Sequence, residues 1–302
     1  LSPGDRVALP IPSGRTRAVS RTNARINAIL NHAITWRLLG YWLAEGAASP
    51  ANQIRLTFGP HETGFAEEAA AIARKVLDCP VHVSPTSTSL VVSFSDADFK
   101  IITAKFGTHA YNKHLPPLAL ATKRHFRAEL VRGYFLGDGC PRANQGWSAC
   151  TVSRSLAAGM QLLLASLEIP SVISVAARRS TKIVAGRLST IRDRFTVASA
   201  HPLMGVLMGT SMTWPKKPCR TTCIPGYLLS PIKTIHSLPG APLVYDLQVQ
   251  TDESFVVPGA CVHNCMIKDD LIDEKHRDSM ALMSEAIDWH VLSKNLLDSL
   301  AT

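Results

Sequence analysis

The chain has 302 residues, of which 46% are hydrophobic and 18% are charged, which excludes a mainly disordered protein and leaves room for two domains. No apolar run reaches the roughly 20 residues that a membrane-spanning helix needs, so an integral membrane protein is also excluded. Thirty-two Lys and Arg residues against 23 Asp and Glu residues give a net charge of +9, which favours a polyanionic partner, although the same charge could serve solubility alone.

The charge is distributed unevenly along the chain. Residues 265–302 contain four basic and eight acidic residues, which leaves a net charge of +13 for residues 1–264 beside a tail of −4. This break predicts a basic body joined to a different kind of sequence.

Seven cysteines, an odd number at low density, favour reduced thiols in a cytoplasm. The sequence begins at Leu1 with neither Met nor a signal-peptide pattern, which favours a fragment.

Residues 1–32 are predicted to hold one strand and a basic linker. A Pro-Gly turn in Leu1–Val7 precedes the strand, and no acidic residue occurs from Arg6 to Trp36. Two interpretations of this stretch stay open, contact of its arginines with a nucleic-acid backbone and a plain flexible linker.

Two segments of the chain are nearly alike, Leu38–Gly46 and Val131–Gly139. Each is an apolar helical stretch that ends in an acid followed by glycine, and the acids, Glu45 and Asp138, are 93 residues apart. Each segment is followed by the same predicted order of a strand, a helix, a hairpin and a short helix. The first series covers Gln53–Phe58, Glu62–Leu77, Val81–Phe94 and Asp96–Phe106, and the second covers Trp147–Val152, Ser155–Leu167, Val172–Val197 and Pro202–Met208. The repetition predicts an internal duplication with pseudo-twofold symmetry.

Small residues in the two segments predict that their helices touch. Gly40 and Ala44 are four residues apart, as are Gly133 and Gly137, so each pair lies on one helix face and lets the backbones approach closely. The two acids then emerge together, and neighbouring carboxylates repel each other unless a divalent cation such as Mg²⁺ lies between them. The glycine after each acid is predicted to take the left-handed conformation that ends many helices.

The two segments resemble the paired motifs of a monomeric LAGLIDADG homing endonuclease, and the resemblance covers about residues 33–215. It implies an α+β fold of two αββαββα-type repeats, about 33–110 and 123–210, whose saddle-shaped sheets straddle duplex DNA. It also implies that Glu45, at a position where Asp is commoner, and Asp138 bind Mg²⁺ during cleavage of both strands.

A lysine near the metal site is a further feature of that family. Lys113 lies in Asn112–Pro116, which resembles the segment before the second motif of intein endonucleases. Lys216 is a weaker counterpart after the second repeat. The resemblance implies that such a lysine positions water or stabilises the reacting phosphate, and an ordinary surface lysine is the alternative for both.

Basic residues in the predicted strands are candidates for DNA contact, because in this family strand residues read base edges and basic residues hold phosphates. Arg55 lies in the first predicted sheet, and six more basic residues lie in one hairpin of the second, a clustering that favours phosphate contact over a solvated hairpin. These six are Arg178, Arg179, Lys182, Arg187, Arg192 and Arg194.

The C-terminal part contains residues for a different chemistry. Val244–Val249 alternates like a half-buried strand, Ser254–Val257 follows as a second strand, and the tripeptide of residues 263–265 comes after a Pro-Gly turn. The side-chain amide of an asparagine can attack its own carbonyl and break the bond to the next residue, with proton transfer by a neighbouring histidine. A cysteine thiolate at the next position can accept an acyl group.

This run resembles the C-terminal splicing blocks of an intein, and Leu1–Val7 resembles the strand that follows the N-terminal blocks. The resemblance implies that Asp246 assists thioester exchange, that His263 is the penultimate histidine, that Asn264 cyclises and that Cys265 begins the C-extein. The blocks with the first nucleophile and the Thr-x-x-His motif are missing from this sequence. We therefore expect C-terminal cleavage, or splicing in trans with a missing N-terminal part, rather than complete splicing.

The expected organisation is a strand and linker over 1–32, an endonuclease over 33–215, a C-terminal splicing segment over 216–264 and a C-extein over 265–302 that faintly resembles a large terminase. The leading hypothesis is a cytoplasmic, monomeric, intein-encoded endonuclease of a prokaryotic or phage-infected cell. Its expected partners are double-stranded DNA and the missing intein part, with no membrane. The alternatives are an inactive LAGLIDADG module that binds DNA or RNA, and an autoprocessing intein with an inactive endonuclease.

Overall fold

The computed structural model describes nine stretches of the chain, and they form antiparallel sheets covered by helices. The described residues are 5–11, 23–48, 53–142, 146–177, 180–184, 187–210, 221–232, 254–257 and 260–263. Strand β1 (Arg6–Pro10) and helix α1 (Ala24–Leu30) come first. Two units with the same order of elements follow and make up most of the described chain.

The first unit runs helix, two strands, helix, two strands, helix. Its elements are α2 (Ala33–Glu45), β2 (Gly46–Ala48), β3 (Ile54–Phe58), α3 (Thr63–Leu77), β4 (Val81–Pro85), β5 (Leu90–Phe94) and α4 (Ala97–Ala104). The strands form an antiparallel sheet in the order β2-β3-β5-β4. Strand β3 alternates, so Leu56 faces the helices and its neighbours Arg55 and Thr57 lie on the opposite, exposed face.

The second unit repeats this connectivity with one insertion. A short helix, α5 (Pro117–Ala121), leads to α6 (Arg124–Gly137), β6 (Gly139–Arg142), β7 (Gly146–Thr151), α7 (Arg154–Ala165), β8 (Val172–Ala176), β9 (Ser180–Val184), β10 (Arg187–Ile191), β11 (Arg194–Ser199) and α8 (Pro202–Met208). The sheet has the order β6-β7-β11-β8, and β9 and β10 pair as a separate two-stranded ribbon. Most predicted elements lie within a few residues of those observed, but α5, β2 and β6 were not predicted. The single hairpin predicted over Val172–Val197 is wrong in detail, because it consists of four strands, of which β8 and β11 join the sheet and β9 and β10 form the ribbon.

Helices α2 and α6 contact each other backbone to backbone. A Cβ atom on Gly40 would lie 2.5 Å from the amide nitrogen of Tyr134 and 2.7 Å from the Cα atom of Gly133. A Cβ atom on Gly133 would overlap the backbone of Arg37. The prediction that small residues let these helices touch is therefore confirmed.

The glycines that follow the two acids are not left-handed, so that prediction is wrong. Gly46 has φ −76° and ψ 138°, which is extended backbone, and the φ of Gly139 is not positive either. The physical reason for glycine is space. A Cβ atom on Gly46 would overlap Trp42, and one on Gly139 would overlap the carbonyl of Phe135.

Large aromatic side chains fill the core around the two contacting helices. Trp36, Tyr41 and Trp42 of α2 and Tyr134 and Phe135 of α6 are buried almost completely. Burial of each such side chain stabilises the fold by about 2–3 kcal/mol. The core thus fixes the positions of both helix ends, where the acids are located.

A strand that precedes the two units in the chain pairs with a strand that follows them. β1 pairs with β13 (Tyr227–Pro231), which also pairs with β12 (Thr222–Ile224). A separate hairpin consists of β14 (Ser254–Val257) and β15 (Ala260–His263), and β15 passes next to β1. Among the described helices, none has the length and apolar character needed to cross a bilayer.

Candidate functional site at the ends of the paired helices

The acids Glu45 and Asp138 lie side by side where α2 and α6 end. Glu45 is the last residue of α2, and Asp138 is the C-cap of α6. The helices also contact each other here, because a Cβ atom on Gly137 would lie 2.5 Å from the Cβ of Ala44 and 3.3 Å from the Cγ of Glu45. The close packing of small residues therefore brings the two carboxylates together.

Both carboxyl groups hold their protons more tightly than usual. Burial, and then the negative charges of Asp138 and Glu62, raise the pKa of Glu45 to about 7. Burial also raises the pKa of Asp138 to about 7, against the opposing effect of Lys113. The Asp138 side chain keeps a surface in contact with solvent, but protein surrounds it on the other sides and reduces its hydration. Burial thus disfavours the negatively charged forms of both acids near neutral pH.

Lys113 is the basic group of this site. Its side chain is only 4% exposed, and its Nζ lies 3.4 Å from the carbonyl oxygen of Ala44 and 5.9 Å from the ring centroid of Trp42. Burial lowers the pKa of Lys113 to about 8, although the charges of Asp138 and Glu45 favour its protonated form. A buried ammonium group next to two acids is a functional-site signal.

The loop that carries Lys113 is fixed by local hydrogen bonds. Gly107 has a φ of 84°, which few other residues adopt, and the side chain of Asn112 accepts from the backbone N–H of His109 at 2.8 Å. Ser153 of the second unit donates to the carbonyl of Lys113 at 2.6 Å and accepts from the N–H of Leu156 as the N-cap of α7. Lys113 therefore contacts both units, through its side chain on one side and its backbone on the other.

Sequence reasoning missed Glu62, a third carboxylate close to the pair. Its charge acts on both Glu45 and Asp138, and its Oε2 accepts from the N–H of Gly59 at 2.6 Å. Glu62 comes after β3, whose partner β2 starts directly after Glu45. This pairing is invisible in the sequence, so no local signal could have found the residue.

Two more residues near the acids were missed although the repeat contains their signal. Gly46 pairs with Leu56, and Gly139 pairs with Ala149, so Thr57 and Cys150 lie one step further along, opposite Glu45 and Asp138. Both side chains are exposed. Thr57 and Cys150 are 93 residues apart, the same spacing as the two acids.

The exposed face of the two sheets contains no negative charge. None of the eight strands β2 to β8 and β11 includes an acidic residue. Arg55 and Thr57 are exposed on the first sheet, and Arg194 is exposed on the second, where the Sγ of Cys150 lies 3.3 Å from the Oγ1 of Thr196. Such a face can approach a polyanion without repulsion.

Only some of the basic residues that were predicted to contact DNA lie among the described residues. Arg55 donates to the side chain of Gln53 at 2.9 Å, and the guanidinium of Arg192 lies over the ring of Tyr111 at 4.5 Å. Lys182 lies in β9 and Arg187 in β10, where only the backbone is described. The remaining candidates fall outside the described residues, namely Arg178, Arg179 and Lys216.

Of the residues predicted to act in splicing, only one lies in a described segment. His263 is the last residue of β15, and its cross-strand partner is Ser254. Asp246, Asn264 and Cys265 lie outside the described residues. The splicing residues therefore remain predictions from the sequence.

The two carboxylates at the helix ends suit a Mg²⁺ ion that takes its other ligands from water and a substrate phosphate. In the part of the chain that the structure describes, no group of three or more His, Cys, Asp or Glu residues could enclose a metal ion. Mg²⁺ is commonly held by one or two carboxylates, with water and substrate phosphate oxygens as the other ligands. Glu45 and Asp138 supply such a pair, and burial, which raises the pKa of both acids, leaves their charged forms poorly hydrated, a cost that a divalent cation would offset.

One family model matches part of the chain. Residues 125–196, from α6 to β11, match the family described as a LAGLIDADG-like domain. The second unit is therefore LAGLIDADG-like by its sequence.

Most of this chain is similar in sequence to segments of curated proteins that have different names. The chain is 31% identical over 243 residues to the ATP-dependent DNA helicase Hel308 of Thermococcus kodakarensis, a match that covers 76% of this chain and 21% of the helicase. It is 25% identical over 238 residues to an iron–sulfur cluster assembly SufBD family protein of Mycobacterium tuberculosis, with 76% and 27% covered. The chain thus spans only about a fifth to a quarter of these relatives.

Solved structures of two LAGLIDADG proteins resemble the chain in part. A variant of the homing endonuclease I-DmoI, solved with its nicked target DNA, has a TM-score of 0.44 at 11% identity and covers 62% of this chain and 99% of its own. The N-terminal LAGLIDADG domain of DUF199/WhiA has a TM-score of 0.39 at 12% identity and covers 65% and 97%. At these scores neither likeness establishes a function.

Proposed function

We propose that the chain is a homing endonuclease of the LAGLIDADG type that cuts both strands of a long, specific duplex and requires a divalent cation, Mg²⁺. The observation that carries this proposal is the pair Glu45 and Asp138 at the ends of two helices that touch through Gly40 and Gly133. The buried ammonium of Lys113 beside the pair completes an arrangement of charges suited to a phosphodiester.

Each group of the site has a distinct part in this proposal. The carboxylates of Glu45 and Asp138 would hold the cation where the two units meet. When bound, Mg²⁺ supplies Lewis-acid stabilisation of charge on a phosphate oxygen. Lys113 keeps its ammonium fixed through Ala44, ready to stabilise the negative charge that develops on the reacting phosphate.

The acid-free face of the sheets suits the duplex. Exposed Arg55 and Arg194 lie on the two different sheets, so each half of a duplex would meet one of them. A long recognition site follows from two sheets that act together.

We further propose that this endonuclease interrupts an intein. Strand β1 before the two units pairs with β13 after them, as expected if the units are inserted into a β-rich domain. The matches to a helicase and to an iron–sulfur cluster assembly protein each cover 76% of the chain and so overlap over at least half of it. A segment shared by proteins with such different names is typical of a mobile insertion. Residues 265–302, which faintly resemble a large terminase, are then the C-extein.

Cleavage of a defined plasmid tests the endonuclease. A supercoiled plasmid carries the host gene with the insertion removed, so that the upstream host codons join the codon of Cys265 directly. We expect a linear product with Mg²⁺ and none with EDTA, and Glu45→Gln and Asp138→Asn should each abolish it. Binding of this plasmid by wild-type protein without any cut would instead support an inactive binding module.

A separate assay tests the splicing residues. The hairpin β14–β15 ends at His263, directly before Asn264 and Cys265. We expect slow release of the 38-residue fragment 265–302, detected by mass spectrometry, and no release from Asn264→Ala. Release from both proteins at the same rate would point to a contaminating protease and would contradict the proposed cyclisation.

A further inference from the structure

Three exposed side chains, two from one loop and one from the segment before β11, form a stack. The rings of His109 and Tyr111 are nearly parallel, with an interplanar angle of 7° and centroids 5.6 Å apart. The guanidinium of Arg192 lies 4.5 Å from the centroid of the Tyr111 ring. Tyr111 is 51% exposed, and both neighbours are exposed as well. Core packing therefore does not account for this stack.

The stack joins the loop of Lys113 to the second sheet. His109 and Tyr111 lie in the first part of the loop, and Tyr111 is two residues before Lys113, which places their Cα atoms within about 7 Å. Arg192 lies just before β11, two residues before Arg194 on the exposed face of that strand. The stack is therefore located between the buried ammonium group and the acid-free face of the sheet.

The stacked geometry prepares the guanidinium for an anion. A guanidinium that lies over an aromatic ring keeps its N–H groups in its own plane, where they can bind two phosphate oxygens at once. The contact with Tyr111 also restricts a long side chain, so less rotamer entropy is lost when the anion binds. An arginine held in this way binds a phosphate better than a free one.

We propose that Tyr111, supported by His109, holds Arg192 as a clamp for one phosphate of a DNA backbone beside Lys113. The inference rests on the proposed function, because it takes DNA as the ligand. The clamp fixes one phosphate relative to the loop of Lys113 and thereby sets the position of the duplex over Glu45 and Asp138. Tyr111 and His109 are positioning residues, since they act through Arg192.

The salt dependence of DNA binding tests the clamp without any cleavage. A generic fluorescent duplex of about 30 base pairs is the probe, because a phosphate contact is independent of sequence. Anisotropy in EDTA gives Kd over a series of KCl concentrations. Loss of one phosphate contact reduces the slope of log K against log salt by about 0.9, so Arg192→Gln should show a slope smaller by about one contact and a higher Kd.

Variants at Tyr111 separate the stack from the charge. Tyr111→Phe keeps the ring and should bind like wild type. Tyr111→Ala should raise Kd about 2- to 5-fold, which corresponds to a cation–π contact of about 0.5–1 kcal/mol at an exposed site. Arg124→Gln is the matched control, because this exposed arginine pairs with Glu168 at 3.2 Å and lies at the other end of α6, about 20 Å from the acids.

The possible results distinguish the clamp from the function on which it rests. Wild-type protein with no affinity for the duplex would contradict the proposed function itself. Wild-type binding that is unchanged in Arg192→Gln would overturn the clamp alone. A weaker Arg192→Gln together with a wild-type-like Tyr111→Ala would also overturn it, since the arginine would then act without the stack. Circular dichroism of each variant confirms that binding is compared between folded proteins.

Discussion

The ammonium nitrogen of Lys113 lies 3.4 Å from the carbonyl oxygen of Ala44, the residue that precedes Glu45 at the end of α2. The last carbonyls of a helix carry partial negative charge and have no partner within the helix. The ammonium group of Lys113 thus offsets the partial negative charge at the C-terminal end of α2. The backbone carbonyl of the same lysine accepts a hydrogen bond from Ser153 of the other unit. This contact makes the position of the lysine depend on the packing of both units.

Replacement of Lys113 should affect catalysis and leave binding intact. We expect Lys113→Met to reduce single-turnover cleavage about 100-fold or more, because loss of one preorganised group at developing charge typically costs that much. Lys113→Arg should retain part of the rate. DNA affinity measured with Ca²⁺ in place of Mg²⁺ should stay within about 2-fold of wild type, since the buried ammonium makes one of many charge contacts. Equal losses of binding and rate would show that Lys113 only supports the fold.

The raised pKa values of Glu45 and Asp138 predict how metal binding depends on pH. A cation must displace the protons of these carboxyls, so affinity for Mg²⁺ should fall as the pH drops below about 7. In EDTA these two acids should make the protein less stable as the pH rises, whereas an acid whose pKa falls on folding makes a protein more stable. The folded state holds protons up to about pH 7 that the unfolded chain has already released, so stability should decrease as the pH rises from about 4 to about 7.

Thermal unfolding in EDTA and in Mg²⁺ measures this dependence. Added Mg²⁺ should raise the Tm at pH 8 and have little effect at pH 5.5. Glu45→Gln should flatten the pH profile in EDTA and increase stability at pH 8 by about 1–2 kcal/mol, after allowance for partial solvent screening. A wild-type profile that is flat between pH 5 and 8 would contradict the raised pKa values.

Contact between the helix backbones predicts unequal effects of Gly→Ala substitutions. Gly40→Ala and Gly133→Ala should each destabilise the protein by about 2–3 kcal/mol, because the added methyl group would meet backbone atoms that cannot move independently. Gly64→Ala in α3 is the matched control, since its Cβ would have no atom within 4 Å. Alanine there should stabilise by about 0.5–1 kcal/mol. Denaturant unfolding measures all three, and equal effects would contradict the close crossing.

The exposed thiol of Cys150 opposite Asp138 predicts sensitivity to alkylation. N-ethylmaleimide should slow cleavage, since the added group would occupy space beside the acid. Cys150→Thr copies the residue at the matching position, Thr57, and should remain active while resisting the reagent. Cys140→Ser should remain sensitive, because it keeps the thiol at 150. Inactivation of Cys150→Thr at the wild-type rate would place the reactive thiol elsewhere.

The sequence predicts the parts of this site that repeat and misses those that depend on pairing. Periodicity and the spacing of 93 residues were sufficient to place Glu45 and Asp138 at neighbouring helix ends, because small residues four apart limit how two helices can pack. Glu62 was not predictable, since its position depends on the pairing of β2 with β3. The conformation of Gly46 was predicted wrongly, because crowding by Trp42 and not backbone handedness requires a glycine there.

A network of charges centred on Arg37 connects the two units, and its removal should destabilise the fold. Arg37 of α2 pairs at 2.5 Å both with Glu68 of α3 and with Glu129 of α6, and Tyr41 donates to Glu68 at 2.5 Å. The side chain of Arg37 is 14% exposed, so Arg37→Met leaves two poorly hydrated carboxylates without their cation. Breaking a fully buried pair costs about 3–5 kcal/mol, and partial exposure here reduces the expected loss to about 2–3 kcal/mol.

A triple variant and an exposed pair provide the comparison for Arg37. Arg37→Met combined with Glu68→Gln and Glu129→Gln should recover about half of that loss, because the uncompensated charges are removed with the arginine. Arg124→Ala loses an ion pair in which both side chains are about half exposed, together with hydrogen bonds to the carbonyls of Ser166 and Leu167, and should destabilise by about 1 kcal/mol or less. Urea unfolding of the four proteins measures these differences. If Arg37→Met were no more harmful than Arg124→Ala, the network would add nothing to the joining of the units, and the apolar contact of α2 with α6 would be sufficient.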